Sequence, residues 1–249
     1  MYPEIRLLHV TLSSYALLYA AAVVTVALLA RAELRRKGYP PRLWLRLALA
    51  GLLGGFVGSK VYFFLVARDA VIFRSPRTYW DLTGTGWYGA LVGGGLAVAA
   101  ILWAARLPLL PAFDTIVPAV PGGQVLGRLG CFLAGCCAGR PTDVPWAVTF
   151  PDDPALAVHP AQLYESLALA GVTAVLWWRR RLDSPVGAQT GLYLALAGAT
   201  RFFVEIFRLN PRVALFLTIP QLAATFEAGL GLLLLRAARR PVGTGPEWE

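Results

Sequence analysis

Seven stretches of this chain are each long and apolar enough to cross a bilayer, at roughly 12–30, 43–66, 86–105, 112–137, 161–178, 187–208 and 217–235. About twenty apolar residues in a helix match the hydrocarbon thickness. Inside that layer every backbone N–H and C=O must find its partner within the segment, which an isolated strand cannot arrange. The expected fold class is therefore all-α, a polytopic membrane protein of about seven helices. Composition agrees: 57% of the residues are apolar and 15% charged, with a mean hydropathy of +0.59. A soluble domain carries about 25% charged residues. The first stretch has neither the basic start nor the small-residue cleavage site of a secretory signal, so it is expected to remain as a span. One membrane-embedded domain, residues 1–249, is expected to hold the whole chain.

The basic residues orient the spans. Arg31, Arg35, Arg36, Lys37 and Arg42 lie in one connection, Arg106 in a second, Arg179 to Arg181 in a third, and Arg236, Arg239 and Arg240 in the tail. These connections alternate along the chain and so share one side of the membrane. The other side has fewer: Arg6, Arg68, Arg74, Arg77, Arg140, Arg208 and Arg212. Excess Lys and Arg marks the cytoplasmic face, which puts the N-terminus outside and the C-terminus in the cytoplasm. This asymmetry and attraction to anionic lipid account for the net charge of +9, so no nucleic-acid partner is called for.

Four basic residues remain within apolar stretches. Arg46 lies within a turn of a helix start and can snorkel to the surface. Lys60 is deeper, and its surroundings suit a structural pairing as well as a lipid phosphate. Arg128 and Arg201 are of another kind, because a charge in hydrocarbon costs at least about 2.5–3.5 kcal/mol and is usually functional. Arg128 is followed by the small residues Gly130, Ala134 and Gly135, which permit close approach of a helix or ligand. Arg201, Glu205 and Arg208 recur at helical spacing along one face. Two arginines on different spans, without a matching surplus of acids, point to an anionic ligand. A guanidinium fork suits phosphate, and in a bilayer that phosphate belongs to a phospholipid. The segment "HPAQLYES" (His159 to Ser166) supplies a second polar cluster where an outer loop enters a span. His159 precedes a proline and is held extended. Gln162 and Glu165 share a face with Ser166, and Glu165 is deep enough to need a partner.

These residues together carry a family resemblance. Gly127-Arg128 through Gly139-Arg140-Pro141, then "PWAV", "HPAQLYE" and "RFFVEIFR", resemble the prolipoprotein diacylglyceryl transferases of bacterial inner membranes. Weaker agreement runs over almost the whole chain: "SSYALLY" with Tyr15, "WYGALVGG" with Tyr88, and "IPQL" with Gln221. The resemblance implies a seven-span enzyme that moves the diacylglyceryl group of phosphatidylglycerol onto the lipobox cysteine thiol of a prolipoprotein, with no cofactor. Its partners would be phosphatidylglycerol, the prolipoprotein and the bilayer. It assigns catalysis to Arg128 and Arg201, with Tyr88 at the position of the family's third-span histidine. It assigns the headgroup and site rim to Tyr15, Gly139, Arg140, His159, Gln162, Tyr164, Glu165, Glu205 and Arg208, besides Arg128. The signature Arg-x-x-Asn-Phe-x-Asn-x-Glu-x-x-Gly reads here Arg128, Cys131, Phe132, Ala134, Cys136 and Gly139. A transferase of a lipid group to another acceptor, and a non-catalytic lipid-binding protein, are the alternatives that these departures leave open.

The three cysteines, Cys131, Cys136 and Cys137, match no zinc-ligand spacing and have no paired histidines beside them, so no metal is expected. On a continuous helix Cys131 and Cys136 stand about 140° apart, and Cys136 and Cys137 about 100°. They can converge only if the helix ends there, which Gly135 and the following Ala-Gly-Arg-Pro permit. Three readings stay open: buried small side chains, a thiol serving the lipid site, or an oxidisable pair. The topology is testable directly. A reporter fused after Arg140 is expected to behave as external, and a cytoplasmic signal there would overturn the orientation.

Overall fold

A computed structural model describes residues 4–7, 10–66, 86–151 and 153–238. The connection bearing Arg68, Arg74 and Arg77 and the tail beyond residue 238 lie outside the described residues. The described chain is mostly helical. Its helices are α1 (Ser14–Arg36), α2 (Leu43–Val66), α3 (Trp87–Ala104), α4 (Leu109–Ile116), α5 (Val120–Leu133), α6 (Ala161–Arg179), α7 (Ala188–Glu205) and α8 (Ile219–Ala237). Three antiparallel hairpins interrupt them, β1–β2 (Glu4–Leu7, Val10–Ser13), β3–β4 (Val148–Phe150, Asp153–Val158) and β5–β6 (Arg212–Ala214, Leu217–Thr218).

Each of the seven apolar stretches contains helix, but the boundaries differ in ways that matter. The fourth is broken by a 3-10 turn at Val117–Ala119, where Pro118 and Pro121 remove backbone donors. It ends at Leu133 rather than 137, and the sixth ends at Glu205 rather than 208. Among the described residues four segments have the length and hydropathy of membrane spans: Ser14–Arg36, Leu43–Leu65, Trp87–Ala104 and Leu109–Leu133. The remaining long helices, α6 to α8, fall short for a physical reason. They bury Gln162, Glu165, Ser166, Gln189, Thr190, Arg201, Glu205, Gln221 and Glu227. Outward they present Leu167, Trp178, Phe203 and Phe226, which are 77%, 69%, 62% and 76% exposed. A polar interior under an apolar exterior is what hydrocarbon solvent selects.

The chain divides into two compact units, Leu34–Ala112 and the remainder (Met1–Glu33 with Phe113–Glu249). The smaller is organised by α2 and α3. Gly58, Gly89 and Gly93 meet backbone to backbone, so a Cβ on any of them would collide with the facing helix. Small residues at such a crossing let dispersion and weak backbone contacts act at short range.

In the larger unit α6 packs on α5 and α7, and α7 lies along α8. Val117, Val172, Leu176, Tyr193 and Ala197 form its apolar centre. The start of α7 is fixed by Asp114, whose carboxylate accepts from Gly187 N (2.6 Å), Thr190 N (2.8 Å) and Thr190 Oγ1 (2.6 Å). An anion at a helix N-terminus satisfies orphan amides and the helix dipole together. The start of α8 is fixed by a capping box, with Gln221 N donating to Thr218 Oγ1 at 3.3 Å and Thr218 N to Gln221 Oε1 at 3.1 Å. Arg180 pairs with Glu33 at 2.9 Å and stacks over Trp177, so this basic residue is built into the fold.

Gly198 decides the spacing of α7 on α8: a Cβ there would stand 2.7 Å from both Ala224 O and Ala228 N. Gly198→Val is expected to cost about 1–3 kcal/mol through overpacking. A lowered midpoint of thermal unfolding in detergent would show it; an unchanged midpoint would mean that the two helices are free to separate.

Candidate functional site

Three helices supply the charged centre of the larger unit. Arg128, on α5, places Nη2 2.8 Å from Glu165 Oε1 on α6. Arg201, on α7, places Nη1 3.4 Å from the other oxygen of the same carboxylate. Arg201 also contacts Glu205 Oε2 at 2.8 Å, one turn along its own helix. Glu205 Oε1 in turn accepts from Asn210 Nδ2 and from Thr218 Oγ1, the latter at 3.1 Å. The four side chains at the centre are nearly sealed, with 16% exposure for Arg128, 11% for Arg201, 6% for Glu165 and none for Glu205. Arg208, past the end of α7, is within electrostatic reach of both arginines and of Glu165. Three guanidinium groups against two carboxylates leave one positive charge over in this group of five.

A helix-entry loop frames that centre. The β3–β4 hairpin delivers His159 and Pro160 to the start of α6. His159 N donates to Arg140 O at 3.0 Å, Gly139 N to His159 O at 2.9 Å, and Arg140 N to Phe207 O at 2.7 Å. Gly139 is required by packing: a Cβ would lie 2.6 Å from Phe207 O and 2.7 Å from both His159 Cβ and His159 O. The His159, Tyr164 and Phe207 rings meet edge to face, with centroids 5.1–5.9 Å apart. Trp146 Nε1, which can only donate, gives its proton to Tyr164 Oη at 2.7 Å. The Tyr164 hydroxyl also shares a hydrogen bond with His159 Nδ1 at 3.1 Å, so one oxygen ties Trp146 and His159 together.

The loop after α5 is tied to the same helices. Gln162 Nε2 donates to Cys136 O at 2.6 Å and Arg208 Nη2 to Cys137 O at 2.8 Å. Tyr15, at the start of α1, lies against Gly130 of α5, where a Cβ would come 3.4 Å from its ring. The larger unit therefore brings together Arg128, Arg201, Glu165, Glu205 and Arg208 as an ion network. Gly139, Arg140, His159, Gln162 and Tyr164 form its loop frame, and Tyr15 and the three cysteines sit against α5 and its end. Tyr88 belongs to the other unit, in the first turn of α3. Sequence reasoning did not single out Trp146, Phe207, Asn210 or Thr218. The capping signature Thr218-x-x-Gln221 was a readable signal for the last; the others are placed by tertiary folding.

Chemically, the network is a set of fixed guanidinium groups whose charge is already partly neutralised by Glu165 and Glu205. Glu165 spans both arginines with one carboxylate, and a phosphate, with more oxygens, can engage the same pair of forks. Low local dielectric makes such contacts strong toward charge that develops during a reaction.

The family model described as prolipoprotein diacylglyceryl transferase matches residues 4–236. A phosphatidylglycerol–prolipoprotein diacylglyceryl transferase of Clostridium tetani is 30% identical over 232 residues, covering 90% of this chain and 92% of the relative. The protein of the same name from Nitrosomonas europaea is 33% identical over 238 residues, covering 88% and 84%. That of Vibrio vulnificus strain CMCP6 is 37% identical over 186 residues, covering 70% and 67%.

Glu165→Gln would leave the buried Arg128 without its carboxylate and Arg201 with Glu205 alone. Breaking a buried ion network from one side typically costs about 3–5 kcal/mol, so the variant is expected to unfold at lower temperature in detergent. Added glycerol phosphate should recover part of the loss by taking the place of the carboxylate. A fully stable variant, indifferent to the anion, would mean that the arginines are not held together by Glu165.

Proposed function

Because the chain belongs to the prolipoprotein diacylglyceryl transferase family, we propose that it moves the diacylglyceryl group of phosphatidylglycerol onto the lipobox cysteine thiol of a prolipoprotein. The observation that carries this reading for the site is the sharing of one carboxylate by Arg128 and Arg201. In the reaction the acceptor thiolate attacks the glyceryl carbon, a carbon–sulfur bond forms, and the carbon–oxygen bond to phosphate breaks. Glycerol phosphate leaves with the electron pair, and the thiol's proton goes to solvent or base. Negative charge grows on the leaving phosphate, and Arg128 and Arg201 stabilise it because their forks are held in place beforehand. Glu165 keeps the pair together before lipid arrives and lessens the cost of two buried cations. Arg208 and Arg140 line the approach with positive charge, and Tyr15, Tyr164 and His159 stand at the rim.

The reading extends to topology. Seven helical spans with the N-terminus outside and the C-terminus in the cytoplasm of a bacterial inner membrane are supported by the basic connections and by the apolar exterior of α6 to α8. Tyr88 is carried as a catalytic candidate by its place in the third-span motif.

Complementation of a transferase-depleted bacterium, scored by lipoprotein processing, tests the activity. Wild-type protein that binds phosphatidylglycerol yet leaves a lipobox peptide unmodified would instead support lipid binding without transfer, the reading favoured by the substituted signature positions. Arg128→Lys separates ground-state binding from catalysis, since it keeps the charge and loses the planar fork. Its kcat is expected to fall roughly a hundredfold, with a smaller change in affinity for phosphatidylglycerol vesicles. Equal losses in both would reduce Arg128 to a binding residue.

A further inference from the structure

Cys131, Cys136 and Cys137 have no task in the transfer reaction, where the acceptor brings its own thiol. Along a continuous helix they would point apart, but the helix stops. α5 ends at Leu133, Gly135 takes φ +77°, and Cys137 takes φ +66°. Cys136 N bonds back to Cys131 O at 3.1 Å, which turns the chain over the last helical turn. A left-handed backbone at a non-glycine residue is strained and persists only where its surroundings enforce it. Here they do. Gln162 and Arg208, from the start of α6 and the end of α7, hold the carbonyls of Cys136 and Cys137. The result is that all three Sγ atoms lie within 4.8 Å of one another as free thiols. Cys131 is half-buried, while Cys136 and Cys137 are exposed and give an ion a way in.

We propose that Cys131, Cys136 and Cys137 form a three-thiolate binding site for a soft metal ion of the monovalent copper or divalent zinc class. A metal–thiolate bond of about 2.3 Å sets sulfur atoms roughly 3.8–4.0 Å apart in tetrahedral or trigonal geometry, so the cluster needs only small side-chain adjustments to close. All three donors are soft, which selects thiophilic ions over magnesium or calcium. The carboxylates of the adjoining network, Glu165 and Glu205, are engaged by arginine. Binding releases three protons, so that three thiolates around a divalent ion carry one net negative charge and around a monovalent ion two. Arg128 and Arg208, both within electrostatic reach of Cys137, offset that charge. The carbonyl contacts from Gln162 and Arg208 act as outer-shell supports that fix where the sulfurs stand. Zinc-ligand spacing is absent from the sequence because the convergence is made by the end of the helix, not by its period.

Full-length protein in detergent, reduced with a phosphine and stripped with chelator, is titrated with zinc ion alone and, separately, with monovalent copper alone against a chromophoric competitor. One ion per chain is expected for at least one of the two metals. X-ray absorption on the loaded wild type should find three sulfur neighbours near about 2.3 Å, a readout that needs no variant. Cys131→Ser, Cys136→Ser and Cys137→Ser should each weaken uptake at least tenfold, and the triple variant should take up none. Fewer than three sulfur neighbours, uptake that survives in the triple variant, or no uptake of either metal by reduced protein would each overturn the proposal. Metal uptake is measured without substrate, so its outcome is separate from that of the transfer reaction.

Discussion

A single carboxylate held between two guanidinium groups organises the larger unit. Glu165 comes from α6, Arg128 from α5 and Arg201 from α7, so one side chain sets the mutual position of three helices. Charges this deep are expensive unless paired, and the pairing is what makes their burial tolerable. Continuing outward, Arg201 contacts Glu205, Glu205 takes Thr218, and Thr218 caps α8. A chain of polar contacts thus runs from the centre of the site to the start of the last helix. Any anion that enters must compete with Glu165 for the arginines.

The same unit shows how a bilayer changes the usual distribution of residues. In α6 to α8 polar side chains are buried and large apolar ones are exposed. Hydropathy averaged over such a helix understates its fitness for the membrane, because the average cannot see which face each residue occupies. Close packing then replaces the hydrophobic effect as the force between helices. Gly198 against Ala224 and Ala228, and Gly139 against Phe207 and His159, are places where the absence of a side chain is the feature under constraint.

The cysteine cluster and the ion network are structurally continuous. Gln162 and Arg208 each belong to the residues assigned to the lipid site, and each also holds one carbonyl of the cysteine loop. The cysteine loop is therefore anchored from the start of α6 and from just past the end of α7.

Much of this protein was determined by sequence alone. Apolar runs of bilayer length gave the helices and the membrane class, since backbone hydrogen bonding in hydrocarbon leaves few alternatives. The rarity of charge in such runs drew attention to Arg128, Arg201 and Glu165, and motif order gave the family. What sequence could not decide was where helices stop and which partners meet. The end of α5 at Leu133 depends on a glycine conformation and on carbonyl contacts from residues 26 and 71 positions away. The second partner of Arg201 is Glu165, 36 residues distant, besides the helical neighbour visible from spacing. The convergence of three thiols arises from that same broken helix end. Helical periodicity describes contacts three and four residues apart; contacts between helices are settled only when packing, cavity shape and charge neutralisation are satisfied together.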